Sequence, residues 1–223
     1  MNEFPGRWVE GVSALLSPLL LLTGVLLRLG YDGFFPSQLA AFAESPTLMT
    51  VSYSCCTAGL VLAFPVVIGL ARRAGSVWGG MAVLLGLLAR TFHAGINHLA
   101  FQLVDAQGLP QAQKTMEDAY SAFHIFHAVN IATFLGWIVL AVATWRSGAL
   151  GRVQSVALGL MSALPLGVLK GTGPMSIVAA LGLCVAFLPY AIKLFREGER
   201  PKWWAFPLAG AILAGAVFLG EVG

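Results

Sequence analysis

Charge is scarce in this chain. Asp, Glu, Lys and Arg supply only 10% of the 223 residues, against 58% hydrophobic and a mean hydropathy of +0.82. That leaves too little polar surface to coat a soluble globule of this length. The net charge of +3 is small and scattered among loops, so no basic face for nucleic acid is expected. Cysteine is rare as well: Cys55, Cys56 and Cys184 all fall in apolar stretches and none forms a Cys-x-x-Cys pair. A disulfide framework is therefore excluded, and the three thiols are expected to pack as small hydrophobes. There is no repeat of fixed period and no low-complexity tract. Lys170-Gly-Thr-Gly lacks the spacing of a phosphate-binding P-loop. No acidic residue stands in the middle of an apolar run, and no histidine lies outside 93–127.

What is present is a succession of apolar runs of about twenty residues, the length that crosses a hydrocarbon core. The expected fold is all-α, a single domain over 1–223: a polytopic membrane bundle of about seven spans. Arg7 precedes an apolar run, Ser13 to Leu27, that is too long and lacks the small-residue cleavage pattern of a signal peptide, so it reads as an uncleaved first span, about Val12 to Leu27. Ser37 to Glu44, framed by Gly33, Pro36 and Pro46, reads as a short interfacial helix with Ser37 as N-cap, able to act as a lid. Span two covers about Thr47 to Ala71, with a polar patch of Thr50, Ser52, Tyr53, Ser54 and Thr57; span three covers Val77 to Val104. After a loop from Asp105 to Lys114, span four runs from Thr115 to Arg146. Spans five (Val153 to Leu169, containing Pro165) and six (Met175 to Phe195) follow, and the seventh begins after Trp203 and Trp204, where an aromatic belt would lie.

Counting Lys and Arg by loop predicts the orientation. With seven spans in the plasma membrane and a cytoplasmic N-terminus, Arg7, Arg72, Arg73, Arg146, Arg152, Lys193, Arg196, Arg200 and Lys202 are inside. Arg28, Lys114 and Lys170 are outside, as is the C-terminus.

All four histidines, His93, His98, His124 and His127, then sit on spans three and four, in the outer half of the bilayer. Antiparallel pairing of these spans brings His93 to the depth of His127 and His98 to that of His124. On span four, Glu117, Tyr120, His124 and His127 recur at steps of three and four, hence on one face, with Asn130 and Thr133 continuing inward. On span three, Arg90, His93 and Asn97 share a face, while His98 is turned about 140° from His93 by the helical period.

Three imidazoles with an open position can hold iron, copper or zinc. The metal ligands expected are His93, His124 and His127, with His98 joining if Gly95 bends its helix. Glu117 and Tyr120 are the candidate catalytic groups; Arg90, Asn97 and Asn130 are the candidate substrate contacts, Arg90 clamping a carboxylate or phosphate. Two haems do not fit, because the available axial pairs differ in depth by only about 5 to 7 Å; a single haem stays open but would leave two histidines unemployed. The competing readings stay open: histidines as polar glue between helices or as proton relays, and Arg90 paired internally or snorkelled to the interface.

In overall build, and in Arg90-Thr-Phe-His-Ala-Gly-Ile-Asn-His98, the chain resembles small multi-span membrane proteins of actinobacteria whose function is unassigned. Its histidine-bearing helix pair is similar in kind to membrane metalloenzymes, among them the hydrazine synthases of azoxy natural-product pathways. The His-x-x-His-His boxes of desaturases are absent. The resulting expectation is a metal-dependent membrane enzyme, an oxidoreductase or catalyst of a metal-assisted rearrangement, acting on a small amphiphilic or anionic substrate. Redox chemistry would draw on an electron donor or partner enzyme that the sequence does not identify. The alternatives are a small permease, channel or proton-coupled transporter, and a non-catalytic assembly or immunity protein.

Overall fold

The computed structural model describes residues 6–120, 125–164 and 168–197, together with positions 207, 210, 211, 214, 215 and 218. Among them the secondary structure is wholly helical: α1 Arg7–Leu27, α2 Ser37–Glu44, α3 Pro46–Arg73, α4 Val77–Gln107, α5 Leu109–Tyr120, α6 Ile125–Ser147, α7 Arg152–Gly159, a 3-10 turn Leu160–Ala163, and α8 Pro174–Arg196. Five of these, α1, α3, α4, α6 and α8, are long and apolar enough to cross a membrane. They overlap expected spans one, two, three, four and six, although the start expected for span four, Thr115, belongs to α5. The expected seventh span falls almost entirely outside the described residues, and the expected fifth is not one continuous helix.

The bundle is held by close backbone contact where side chains are small. Between α1 and α3 the contact is reciprocal: Ser17 Oγ donates to the Gly59 carbonyl at 2.7 Å, and Ser52 Oγ donates to the Gly24 carbonyl at 2.6 Å. A Cβ on Gly59 would lie 2.8 Å from both Leu21 N and Ser17 O. Small residues that let two backbones meet are the usual means of joining helices when both solvent and core are apolar. The same device joins α4 to α6, where Gly86 receives Thr133 and Gly136 receives Ala82 and Val83. Around these seams the main core gathers Trp137, Phe187, Leu87, Leu140 and Leu183.

Two expectations about boundaries are corrected. The loop foreseen from Asp105 to Lys114 contracts to Gly108, whose φ of +79 turns the chain, and Pro110 sits in the first turn of α5, where it lacks only an N–H that the helix would not use. Ser37 does not cap α2: it is the first helical residue, and its hydroxyl donates to Asp32 Oδ2 at 3.3 Å. α2 is also no loose cover. Phe42 stacks on Phe101 at 4.5 Å, and Tyr53 meets Phe101 edge-on at 4.9 Å, in a second core shared by α2, α3, α4 and α5.

Glu10, which sequence placed ahead of the first span, lies inside α1 and is 2% exposed. Its carboxylate accepts from Arg73 Nη2 at 3.0 Å and from the Tyr190 hydroxyl, and Arg73 Nε donates to the same phenol oxygen at 2.6 Å. This trio ties α1, α3 and α8 together at the end of the bundle opposite α2, and Gly69 leaves the space that the carboxylate occupies.

The glycines divide by what faces them. Gly59→Ala is expected to lower stability by about 1–3 kcal/mol, since backbone must shift to admit the methyl. Gly95→Ala, with nothing within 4 Å of its Cβ position, is expected to be neutral or stabilising by up to about 1 kcal/mol. Denaturant unfolding of the two variants in the same detergent checks the contrast.

Candidate functional site

The site begins with a helix that stops. The segment expected as span five begins at Arg152, after the end of α6, and on its far side the Gly171 N–H donates to the Gly33 carbonyl at 3.0 Å, near the start of α2. Its helical part ends at Ala163. Leu164 precedes Pro165, and the proline ring disfavours the helical region for the residue before it; Leu164 accordingly has φ −65 and ψ 121. Residues 165–167 lie outside the described residues. Leu169 has φ +50, Thr172 Oγ1 donates to the Val25 carbonyl at 2.6 Å, and α8 starts at Pro174.

A helix broken inside a bundle leaves peptide groups that need partners. α4 supplies them. Arg90 Nη2 donates to the Leu164 carbonyl at 2.7 Å, and the Leu169 N–H donates to Asn97 Oδ1 at 2.7 Å. The face of α4 that carries these two side chains also carries His93, which is 3% exposed. All three line one cavity of about 70 Å³, walled by α1, α3, α4, the broken segment and the first turn of α8.

Opposite them stands Arg28, which the sequence reading left as a loop charge. It caps the C-terminus of α1, where a cation suits the helix dipole, and is 6% exposed. Its guanidinium lies over the Tyr53 ring at 4.3 Å, with Nε 3.4 Å from Thr172 Oγ1 and Nη2 3.5 Å from Cys56 Sγ. Tyr53 is held in turn by its hydroxyl, which donates to Gln38 Oε1 of α2 at 2.9 Å. Arg28 Nη1 is buried and has no hydrogen-bond partner among the described residues. Lys170 adds a third cation to the lining, and no Asp or Glu of the described residues lines the cavity. The only sequence signal for Arg28 was its position against an apolar run; which way it would turn was not encoded there.

The remaining expected site residues are distributed differently. α4 continues as helix through Gly95, so His98 stays turned away from His93; it is exposed and lines a separate groove between α3 and α4. Glu117 and Asp118 are exposed on α5, away from the cavity. Asn130 is half-buried on α6 without lining the cavity, and its Oδ1 lacks a hydrogen-bond partner among the described residues. His124 lies outside the described residues, as do the side chains of Tyr120 and His127. The backbone register of α4 against α6 is nonetheless defined. Gly86 faces Thr133, and Phe92 stacks on Phe126 at 4.3 Å, which puts position 127 one to two residues from the level of His93. Among the described residues no three His, Cys, Asp or Glu side chains converge as a metal site would require.

Chemically, the cavity offers guanidinium, ammonium, imidazole and phenol groups to a single small space. Groups of these kinds can bind and orient an anion, and an imidazole can pass a proton. No family model, curated protein or solved structure matches this chain.

The tie between α4 and the break is separately testable. Asn97→Leu, which leaves the Leu169 N–H without its acceptor, is expected to lower stability by about 1–3 kcal/mol. Gln102→Leu, at an exposed position on the same helix, is expected to change it by less than about 0.5 kcal/mol. Chemical unfolding followed by Trp fluorescence reads both.

Proposed function

We propose that the protein is an integral membrane protein that binds the anionic group of a small molecule in the cavity between α1, α3, α4 and α8. The observation that carries this reading is Arg28. A guanidinium buried this deeply, with Nη1 unmatched and no carboxylate of the described residues lining its cavity, is short of one acceptor. A carboxylate or phosphate would supply it, because the planar fork of arginine matches the paired oxygens of such groups. Lys170 and Arg90 add positive potential, and His93, in the same lining, would exchange a proton with the bound group. In this reading the end bearing Arg7, Arg72, Arg73 and Arg146 faces the cytoplasm, and the cavity lies in the outer half of the bilayer.

A second reading adds a transition metal, iron, copper or zinc, and with it catalysis. It is favoured by the α4–α6 register, which sets His93 and position 127 at nearly one level. His93 and His127 would be the first two ligands, with His124 as the third. The metal, when bound by these residues, would act as a Lewis acid on an anion held by Arg28.

Thermal unfolding of the purified chain in neutral detergent tests the first reading. Phosphate or acetate added at constant ionic strength is expected to stabilise the wild type, by about 2.7 kcal/mol at a hundredfold excess over Kd. Arg28→Gln is expected to lose the effect, and a wild type indifferent to both anions would remove the reading. For the second, the metal content of the wild type is expected to exceed that of a His93→Ala/His127→Ala variant. Equal content would end it.

A further inference from the structure

A second concavity lies against the first. Between α3 and α4 the surface of the bundle opens as a groove of about 520 Å³. Three residues, Tyr53, Thr57 and Ala94, line both the groove and the cationic cavity, so they form the wall between the two. The groove carries Thr50 and Ser54 of α3 and His98 and Gln102 of α4, all exposed. Around it the same two helices expose Val51, Val61, Leu88 and Leu99, the surface expected to meet lipid chains. Polar side chains at membrane depth usually face the bundle interior or a polar cavity, and a row of them along this outer groove suits an occupant with polar atoms of its own. At Gly95 the floor has nothing within 4 Å of where a Cβ would stand.

We infer that the cavity and the groove form one site for an amphiphile, with a phosphate monoester or carboxylate head at Arg28 and the chain lying in the α3–α4 groove. The inference rests on the reading of the cavity as an anion site, and adds the substrate class and its route. The head is small, in keeping with a cavity of only about 70 Å³. The route is lateral. The molecule enters from the bilayer between α3 and α4, and its head passes Thr57 and Ala94 while Thr50, Ser54, His98 and Gln102 receive the polar region that follows the head. A second copy of this chain is the less favoured occupant, because the groove continues into a cationic cavity that a packing helix would not fill.

The test uses the full chain in phosphatidylcholine vesicles with two photoreactive probes, a fatty acid and an alkyl phosphate, each carrying a diazirine near the end of its chain. A chain-matched trimethylammonium probe is the control. Crosslinks are expected to concentrate on peptides of α3 and α4 for either anionic probe and not for the cation. Gly95→Phe adds a ring at a groove position whose Cβ would meet nothing within 4 Å, and is expected to reduce labelling about tenfold, as is Arg28→Gln. Ala58→Leu, a second groove position, keeps the test sound if the phenylalanine variant does not purify as a single species. Gly95→Phe is expected to retain stabilisation by inorganic phosphate, since Gly95 does not line the cavity. Labelling spread evenly over α1, α6 and α8, or unchanged in both groove variants while phosphate still stabilises through Arg28, overturns the amphiphile inference alone. Phosphate stabilisation and labelling that are both indifferent to Arg28→Gln overturn the anion site itself. A Gly95→Phe variant that changes from dimer to monomer places a second copy in the groove, and overturns the inference as well.

Discussion

Two hydrogen bonds from α4 hold this architecture open where it would otherwise close. The chain leaves the helical conformation at Leu164, ahead of Pro165. In an apolar surround, free peptide groups cost several kcal/mol each, so a break is tolerated only where protein or a polar cavity receives them. Arg90 and Asn97 receive them here, one taking the Leu164 carbonyl and the other the Leu169 N–H. The consequence reaches beyond the break. Once α4 must present Arg90 and Asn97 to the broken segment, the helical period brings His93 into the same space, and the interrupted helix no longer fills the volume that becomes the cavity.

The two ends of the bundle treat their buried arginines in opposite ways. Arg73 meets both the carboxylate of Glu10 and the hydroxyl of Tyr190, a closed set that joins three helices. Breaking such a set leaves a buried charge unmatched, which makes it a structural clamp. Arg28 has a ring face, a thiol and a hydroxyl at long range, and no carboxylate among those contacts. The α1–α3 seam holds it there: Gly24, one turn before Arg28, lies so close to Cys56 that a Cβ would stand 2.5 Å from its sulfur. Rigid helices therefore fix the position of this cation, and rigid placement is what a binding group requires.

Much of the helical order was legible in advance. Runs of apolar residues marked five helices closely, and the strong turn signals at Gly108 and around 170–174 fell where the chain reverses. The first boundary drifted: the span expected from about Val12 begins at Arg7, and Glu10 lies inside it because Arg73 and Tyr190 partner its carboxylate. The fifth span was read as one helix because its composition is apolar throughout, although Pro165 within it marks where the helix gives way.

Composition and periodicity, acting alone, determined an all-α chain, the sharing of one face by Arg90, His93 and Asn97, and the separation of His98 from them. These follow from distances along a single helix, which are set by 3.6 residues per turn whatever surrounds it. Only the tertiary structure decided that Arg28 turns inward, that Asn97 and Arg90 serve a segment more than seventy positions away, and that His98 opens onto α3. The angle at which a helix is rotated against its neighbours depends on which small residues meet at each seam. The partner of an orphaned peptide group depends on what lies across space, and neither is written in the local order of the chain.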